Sequence, residues 1–201
     1  MKRSLRSLNA AALDGRRALV RVDFNCPLKD GKVTDNTRIR ASLPTITYLK
    51  EKGARVVLLS HLGRPKGADP SQSLKPCAAE LEKLLGAPVT FIPDPLSADA
   101  IQTTKRLQRG SVAVVENTRF HSGEEKNDID LARAFAGLGD LYVNDAFGSA
   151  HRAHASTAAV AQAAHDVLVY LYPAQQAKFD AELVTSLASV PDGQAKTDGQ
   201  A

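Results

Sequence analysis

Ala18-Leu19-Val20-Arg21-Val22-Asp23-Phe24-Asn25-Cys26-Pro27 begins as an apolar run and ends in turn chemistry. Ala18, Leu19, Val20 and Val22 read as a strand with both faces covered. Asp23 and Asn25 beside Pro27 stop it, because proline cannot continue a central strand. Two polar side chains therefore stand just past the carboxyl end of a buried strand. In open α/β sheets that edge is where ligands bind.

The pattern repeats along the chain. Apolar runs at 17–22, Arg55–Leu59, Val89–Ile92, Val112–Val115 and Leu141–Val143 read as strands. Between them lie helical patterns. The first opens at Arg38 with Ile39, Leu43, Ile46 and Leu49 in period, and Pro44 should fall in its first turn or kink it. Others cover about 76–85, 97–108 and 128–137, the last capped by Asn127 or Asp128. Residues 1–16 are polar with a short turn or helix from Leu8 to Leu13. The loop after the first strand carries the turn signal Asp30-Gly31, but no hairpin is expected between strands. Strands alternating with helices predict a three-layer α/β/α domain with a Rossmann-like parallel sheet. Residues 158–188 are alanine-rich and helical in pattern, broken at Pro173, and 189–201 read as a disordered polar tail.

Composition narrows the function. A charged fraction of 24% against 43% hydrophobic residues places the chain in the globular class, with 201 residues enough for one sizeable core. The net charge of +4 suits an anionic ligand but is too small to argue for nucleic acid. Cys26 and Cys77 stand in no zinc or Cys-x-x-Cys spacing and read as free thiols in a reducing compartment. No apolar segment follows the basic start and no run of about 18 apolar residues occurs. A cytoplasmic monomer without membrane partner is the expectation.

A parallel sheet gathers its strand ends on one edge. That edge should carry Asp23, Asn25, His61, Arg64, Asn117, Arg119, Asn144, Asp145, His151 and Arg152, with Arg38 at a helix start nearby. Taken singly, each has an ordinary explanation. A strand-end Asp or Asn is usually a turn former, and a lone arginine is usually solvated surface. His151 and His154 lack a companion Cys, Asp or Glu cluster for a metal. Together, the arginines and histidines make a site for a phosphorylated or carboxylated small molecule, since guanidinium binds both groups bidentately. The chain has no Gly-x-x-x-x-Gly-Lys-Ser/Thr loop, no Gly-x-Gly-x-x-Gly turn and no Gly-x-Ser-x-Gly elbow. Nothing in these residues alone predicts a nucleotide site.

Longer motifs carry a resemblance. Arg21-Val22-Asp23-Phe24-Asn25-Cys26-Pro27, Asp35-Asn36-Thr37-Arg38-Ile39-Arg40, the stretches 59–67 and 116–120, and Val143 through Ser156 together closely resemble phosphoglycerate kinases, in order and spacing over roughly residues 4–157. The resemblance implies the substrate domain of a two-domain glycolytic kinase. That family moves a phosphoryl group between Mg-ATP and the carboxylate of 3-phosphoglycerate, giving 1,3-bisphosphoglycerate and ADP. It further implies that Asp23 and Asn25 contact the glycerate hydroxyl and carboxylate region. Arg38 would stabilise the transferring phosphoryl group as the catalytic residue, and His61, Arg64, Arg119 and Arg152 would hold the 3-phosphate. Arg21 would support them from behind. After Thr157 the family's Gly-Phe-x-Met-x-x-Glu stretch, interdomain helix and nucleotide domain find no counterpart. The expectation is a chain that supplies the acceptor site, binds no Mg-nucleotide and turns nothing over alone. The alternative is an inactive 3-phosphoglycerate-binding module or a truncated product.

Overall fold

Strand β1 (Arg17–Arg21) lies inside a six-stranded sheet, flanked by β4 (Arg55–Leu59) on one side and β7 (Leu141–Asn144) on the other. The structure is a computed structural model that describes Leu5 and residues 10–146, 153–164 and 167–169. These belong to the first of two compact units, residues 1–170, the second being residues 171–201. With β5 (Val89–Ile92), β6 (Val112–Val115) and β8 (Val167–Val169), the spatial order is β5-β6-β4-β1-β7-β8, every pair parallel. Val20 faces Leu58 on one neighbour and Val143 on the other. From β1 the chain builds outward through β4 to the edge strand β5, comes back as β6 between β5 and β4, and then crosses to the other side of β1 as β7. The order therefore reverses between β1 and β7, and the crevice beyond their carboxyl ends is the favoured ligand position.

Alternation along the strands divides the core in two. Ala18, Val20, Val22, Val56, Leu58, Val112, Val114, Leu141 and Val143 point to one face, and Leu19, Val57, Leu59, Ala113, Val115 and Tyr142 to the other. Helix α1 (Thr37–Glu51) buries Ile39, Ser42, Thr45, Ile46 and Leu49 at three- and four-residue spacing, and α2 (Lys75–Leu85) buries Cys77, Ala78 and Leu81. Both helices cover the first face. The second is covered by α3 (Ala98–Arg106), α4 (Ile129–Ala136) and the π-type turn Ala155–Ala159 with α5 (Val160–Ala163). Leu19, Val20 and Val22 are at most 1% exposed. Each contributes roughly 1.5–3 kcal/mol through burial, which fixes the strand whose end carries Asp23 and Asn25.

Two sequence expectations are corrected here, and two that left alternatives are narrowed. Leu28–Lys29 (β2) and Lys32–Val33 (β3) form a small antiparallel hairpin where none was expected. Its turn residues, Asp30 and Gly31, both have positive φ, as a type I′ turn requires, so the Asp-Gly pair was the hairpin signal itself. Pro44 falls in the middle of α1, on an exposed position, and the helix runs on to Glu51. Of the two expected caps, Asp128 is the one α4 uses, accepting from the amides of Asp130 and Leu131. Past residue 157, where a helical extension was expected, the helical piece ends at Ala163 and Val167–Val169 joins the sheet beside β7. The rest of the expected extension and the expected tail lie outside the described residues.

Cys26 and Cys77 are buried free thiols. They meet at the Phe24 carbonyl, which accepts from Cys26 N at 2.7 Å and from Cys77 Sγ at 3.6 Å. No helix among the described residues is long and apolar enough to cross a membrane.

Candidate functional site: a strand-end cleft of arginines and a histidine

The site is assembled from the carboxyl ends of β1, β4 and β6. After β1 the chain turns through Asp23 and Asn25, with the Asn25 amide donating to Asp23 Oδ1 at 3.2 Å. Asp23 Oδ2 accepts from Arg38 Nη1, which joins the β1 end to the first turn of α1. Arg38 remains 52% exposed, so its charge is open to a ligand. The Asn25 side chain accepts the Gly63 amide at 2.9 Å, tying the β1 end to the loop after β4. Arg119, after β6, donates to the Gly63 carbonyl at 2.6 Å and pairs with Glu125 at 3.1 Å. Glu125 is itself exposed, and an ion pair of that kind is weak enough for an incoming anion to displace.

Gly63 therefore links two predicted site residues through its own backbone. Its φ is +63°, and a Cβ built there would lie 2.0 Å from Gln72 Oε1. Gly63→Ala is expected to destabilise the chain by about 1–3 kcal/mol, from the left-handed backbone and the displaced Gln72. The loss should appear as a lower urea midpoint, with Arg64 and Arg119 shifted together in amide spectra.

Arg64 is exposed at the next position and makes no ion pair among the described residues. His61 is nearly buried, its Nδ1 3.0 Å from Arg21 Nη2. Arg152, like His151, lies outside the described residues. The structure thus joins Asp23, Asn25, Arg38 and Arg119 through Gly63, with Arg64 next in the chain, and pairs Arg21 with His61 at the ends of β1 and β4. Asn117 belongs to the same edge but is fully buried. Its amide donates to the carbonyls of Leu62 and Gln72 and its oxygen accepts from Leu62 and Arg119, so it clamps the loop. Asn144 accepts the Ala146 amide as a turn former.

Beneath the cleft lies a polar layer that hydropathy did not reveal. Arg21 is fully buried, with Nε donating to Ser156 Oγ at 2.8 Å and Nη1 to the Val22 carbonyl. Burial lowers its pKa, while Glu124, Tyr142 and Asp23 pull it back up. Glu124, also fully buried, accepts from Ser156 Oγ at 2.5 Å, Ser156 N at 3.0 Å and Thr118 Oγ1 at 3.2 Å. His154 Nδ1 lies 3.9 Å from the same carboxylate, and burial lowers the histidine's pKa. Glu124 sits in the charged run Glu124-Glu125-Lys126-Asn127, which reads as a solvated surface. The turn Gly123–Asp128 folds the run back so that Glu124 is buried while Glu125 and Lys126 stay exposed.

At the β1/β7 reversal point, Asp145 N donates to the Arg21 carbonyl at 2.8 Å. Its Oδ2 is buried without a hydrogen bond among the described residues, as is the neighbouring Thr45 Oγ1. Burial pushes the Asp145 carboxyl up to about 7. Among the described residues no three His, Cys, Asp or Glu side chains gather as a metal site. The donor set here suits an anion.

Comparisons with known proteins point to one family. The sequence profile of a family described as phosphoglycerate kinase matches residues 8–175, extending past the 157 reached by motif reading. A phosphoglycerate kinase of Azorhizobium caulinodans is 56% identical over 158 residues, covering 79% of this chain and 40% of its own length. One of Caulobacter sp. strain K31 is 58% identical over 158 residues, covering 78% and 40%. Among solved structures, phosphoglycerate kinase from Coxiella burnetii superposes with a TM-score of 0.77 at 39% identity, over 90% of this chain and 44% of that one. The Pyrococcus horikoshii enzyme gives 0.76 at 32% identity, over 96% and 47%. The chain spans about 40% of the length of the curated relatives it matches.

Proposed function

The chain belongs to the phosphoglycerate kinase family, and from that premise we propose that its strand-end cleft is the acceptor site of a phosphoryl transfer, binding 3-phosphoglycerate and 1,3-bisphosphoglycerate. The carrying observation is the convergence of Arg38, Arg64 and Arg119 with His61, Asp23 and Asn25 around the Gly63 loop. In this reading Arg64, Arg119, His61 and Arg152 hold the 3-phosphate. Asp23 and Asn25 meet the glycerate hydroxyl and carboxylate. Arg38 stands where phosphoryl charge passes to the carboxylate and stabilises it, because this reaction needs positioning and electrostatics more than covalent help. The Asp23–Arg38 contact supports the role by aiming an exposed guanidinium into the cleft before ligand arrives.

Mg-ATP is the phosphoryl donor in this reading. Residues 1–201 taken alone, which span about 40% of the length of the curated relatives, are proposed to bind acceptor without turnover, as a cytoplasmic monomer with no nucleic-acid or membrane partner. Calorimetric titration with 3-phosphoglycerate tests the site. Binding is expected, and Arg64→Ala should weaken it about tenfold through loss of a charge-assisted hydrogen bond. A folded chain that gives no heat would overturn the acceptor-site reading. Product formation from Mg-ATP and 3-phosphoglycerate in a coupled assay of the same chain would overturn the prediction of no turnover.

A further inference from the structure

We infer that Ser156 and Glu124 are positioning residues for His61: acting through Arg21, they hold its imidazole in one orientation with the ring proton on Nε2. Arginine has five donors and no acceptor, and it stays charged. The 3.0 Å contact from Arg21 Nη2 to His61 Nδ1 therefore makes Nδ1 the acceptor, and the neutral ring carries its hydrogen on Nε2. A donor at Nε2 is what a phosphate oxygen requires.

Arg21 can hold the ring only if its own guanidinium is held. Nε donates to Ser156 Oγ at 2.8 Å and Nη1 to the Val22 carbonyl, so contacts on both edges fix the plane. Ser156 Oγ accepts from Arg21 and so gives its own hydrogen to Glu124 Oε1 at 2.5 Å. An arginine cannot accept and a carboxylate cannot donate, so the chain Arg21, Ser156, Glu124 has one polarity and no alternative hydrogen-bond arrangement. Ser156 is immobilised further by its amide on Glu124 Oε2 at 3.0 Å and by the Tyr142 hydroxyl on its carbonyl at 2.9 Å. Arg21, Glu124 and Ser156 are all fully buried, so water does not compete for these bonds. The network spans elements far apart in sequence: β1, the loop after β4, the turn after β6, and the π-type turn at Ala155–Ala159.

The significance for phosphate binding rests on the acceptor-site reading, but the tautomer does not. The test is a long-range 1H–15N spectrum of the histidine rings in the ligand-free chain at a pH where His61 is neutral. His61 is expected in the Nε2–H form alone. Ser156→Ala should give a mixture of both tautomers, and Ser156→Thr, which keeps the hydroxyl, should restore the single form. Glu124→Gln serves if Ser156→Ala does not fold. It preserves shape, yet its NH2 cannot accept the Ser156 amide and hydroxyl together with the oxygen, so the mixture is again expected. An Nδ1–H ring in the unaltered chain would overturn the inference, as would a single Nε2–H form in Ser156→Ala or Glu124→Gln. Titration of 3-phosphoglycerate into the same samples is read separately. An Ser156→Ala Kd raised about tenfold is the expected result, matching one lost charged hydrogen bond. Absence of any binding to the unaltered chain would remove the acceptor site while leaving the tautomer result standing.

Discussion

Arg21→Met is expected to destabilise the chain by about 3 kcal/mol or more, the range for leaving one member of a buried charged set without its counterpart. Arg21 and Glu124 are both fully buried and joined through Ser156 Oγ. Methionine fills much of the arginine's volume, so the loss is electrostatic more than a cavity. Removing the guanidinium leaves the Glu124 carboxylate with the Ser156 and Thr118 donors but without its Arg21 counterpart. The control is the double variant. Glu124→Gln removes the orphaned charge, so Arg21→Met should cost at least 1 kcal/mol less in that background than alone. Urea unfolding of the four chains at neutral pH gives the comparison. Equal costs in both backgrounds would show that the two groups do not interact through Ser156. In either case the Arg21 variant should lose the single His61 tautomer, because the donor facing Nδ1 is gone.

The parts of this molecule that follow from local pattern were legible in the sequence. Five strands and four helices are signalled by runs of β-branched residues and by helical periodicity, and the parallel sheet follows from their alternation. The site edge was equally legible, because each strand stops in a polar turn and a parallel sheet puts all those turns together. What the sequence hid depends on contacts between distant segments. Glu124 is indistinguishable from Glu125 by type, yet one is fully buried and the other is exposed. Ser156 looks like one more small loop residue until Arg21 and Glu124 close on it. Asn117 was counted among ligand-facing groups by its position at a strand end, but its side chain is spent on loop backbone. Val167–Val169 was missed because a three-residue strand at the end of an alanine-rich stretch has too little pattern of its own. Pairing with β7 decides its conformation.

Asp145→Asn is expected to stabilise the chain above neutral pH and to leave it unchanged in acid. Burial pushes the Asp145 carboxyl up to about 7, the Thr45 hydroxyl pulling the other way without forming a full hydrogen bond. In the unfolded chain an aspartate titrates near 3.9. Below about pH 4 the group is protonated in both states and contributes nothing to the pH dependence. Between about 4 and 7 the unfolded chain releases this proton and the folded chain keeps it, so stability falls as pH rises. Above about 7 the folded chain carries a largely buried carboxylate with an unsatisfied Oδ2, and the cost is complete, on the order of 4 kcal/mol at most. Asparagine has nearly the same shape and carries no charge. The difference in unfolding free energy between variant and unaltered chain should therefore be near zero at pH 4 and reach about 2–4 kcal/mol at pH 8, favouring the variant. Other titrating groups cancel in that difference, which makes it the quantity to measure. A difference that stays near zero at pH 8 would mean that the carboxylate is compensated in the folded chain and that its burial carries no net cost. A difference that appears is informative in a second way. Asp145 follows β7 at the point where strand order reverses, and its amide holds the Arg21 carbonyl. A carboxyl kept at the cleft against the stability of the fold is better explained by work at the site than by any contribution to packing. The stabilised variant should then be the one with weakened 3-phosphoglycerate binding.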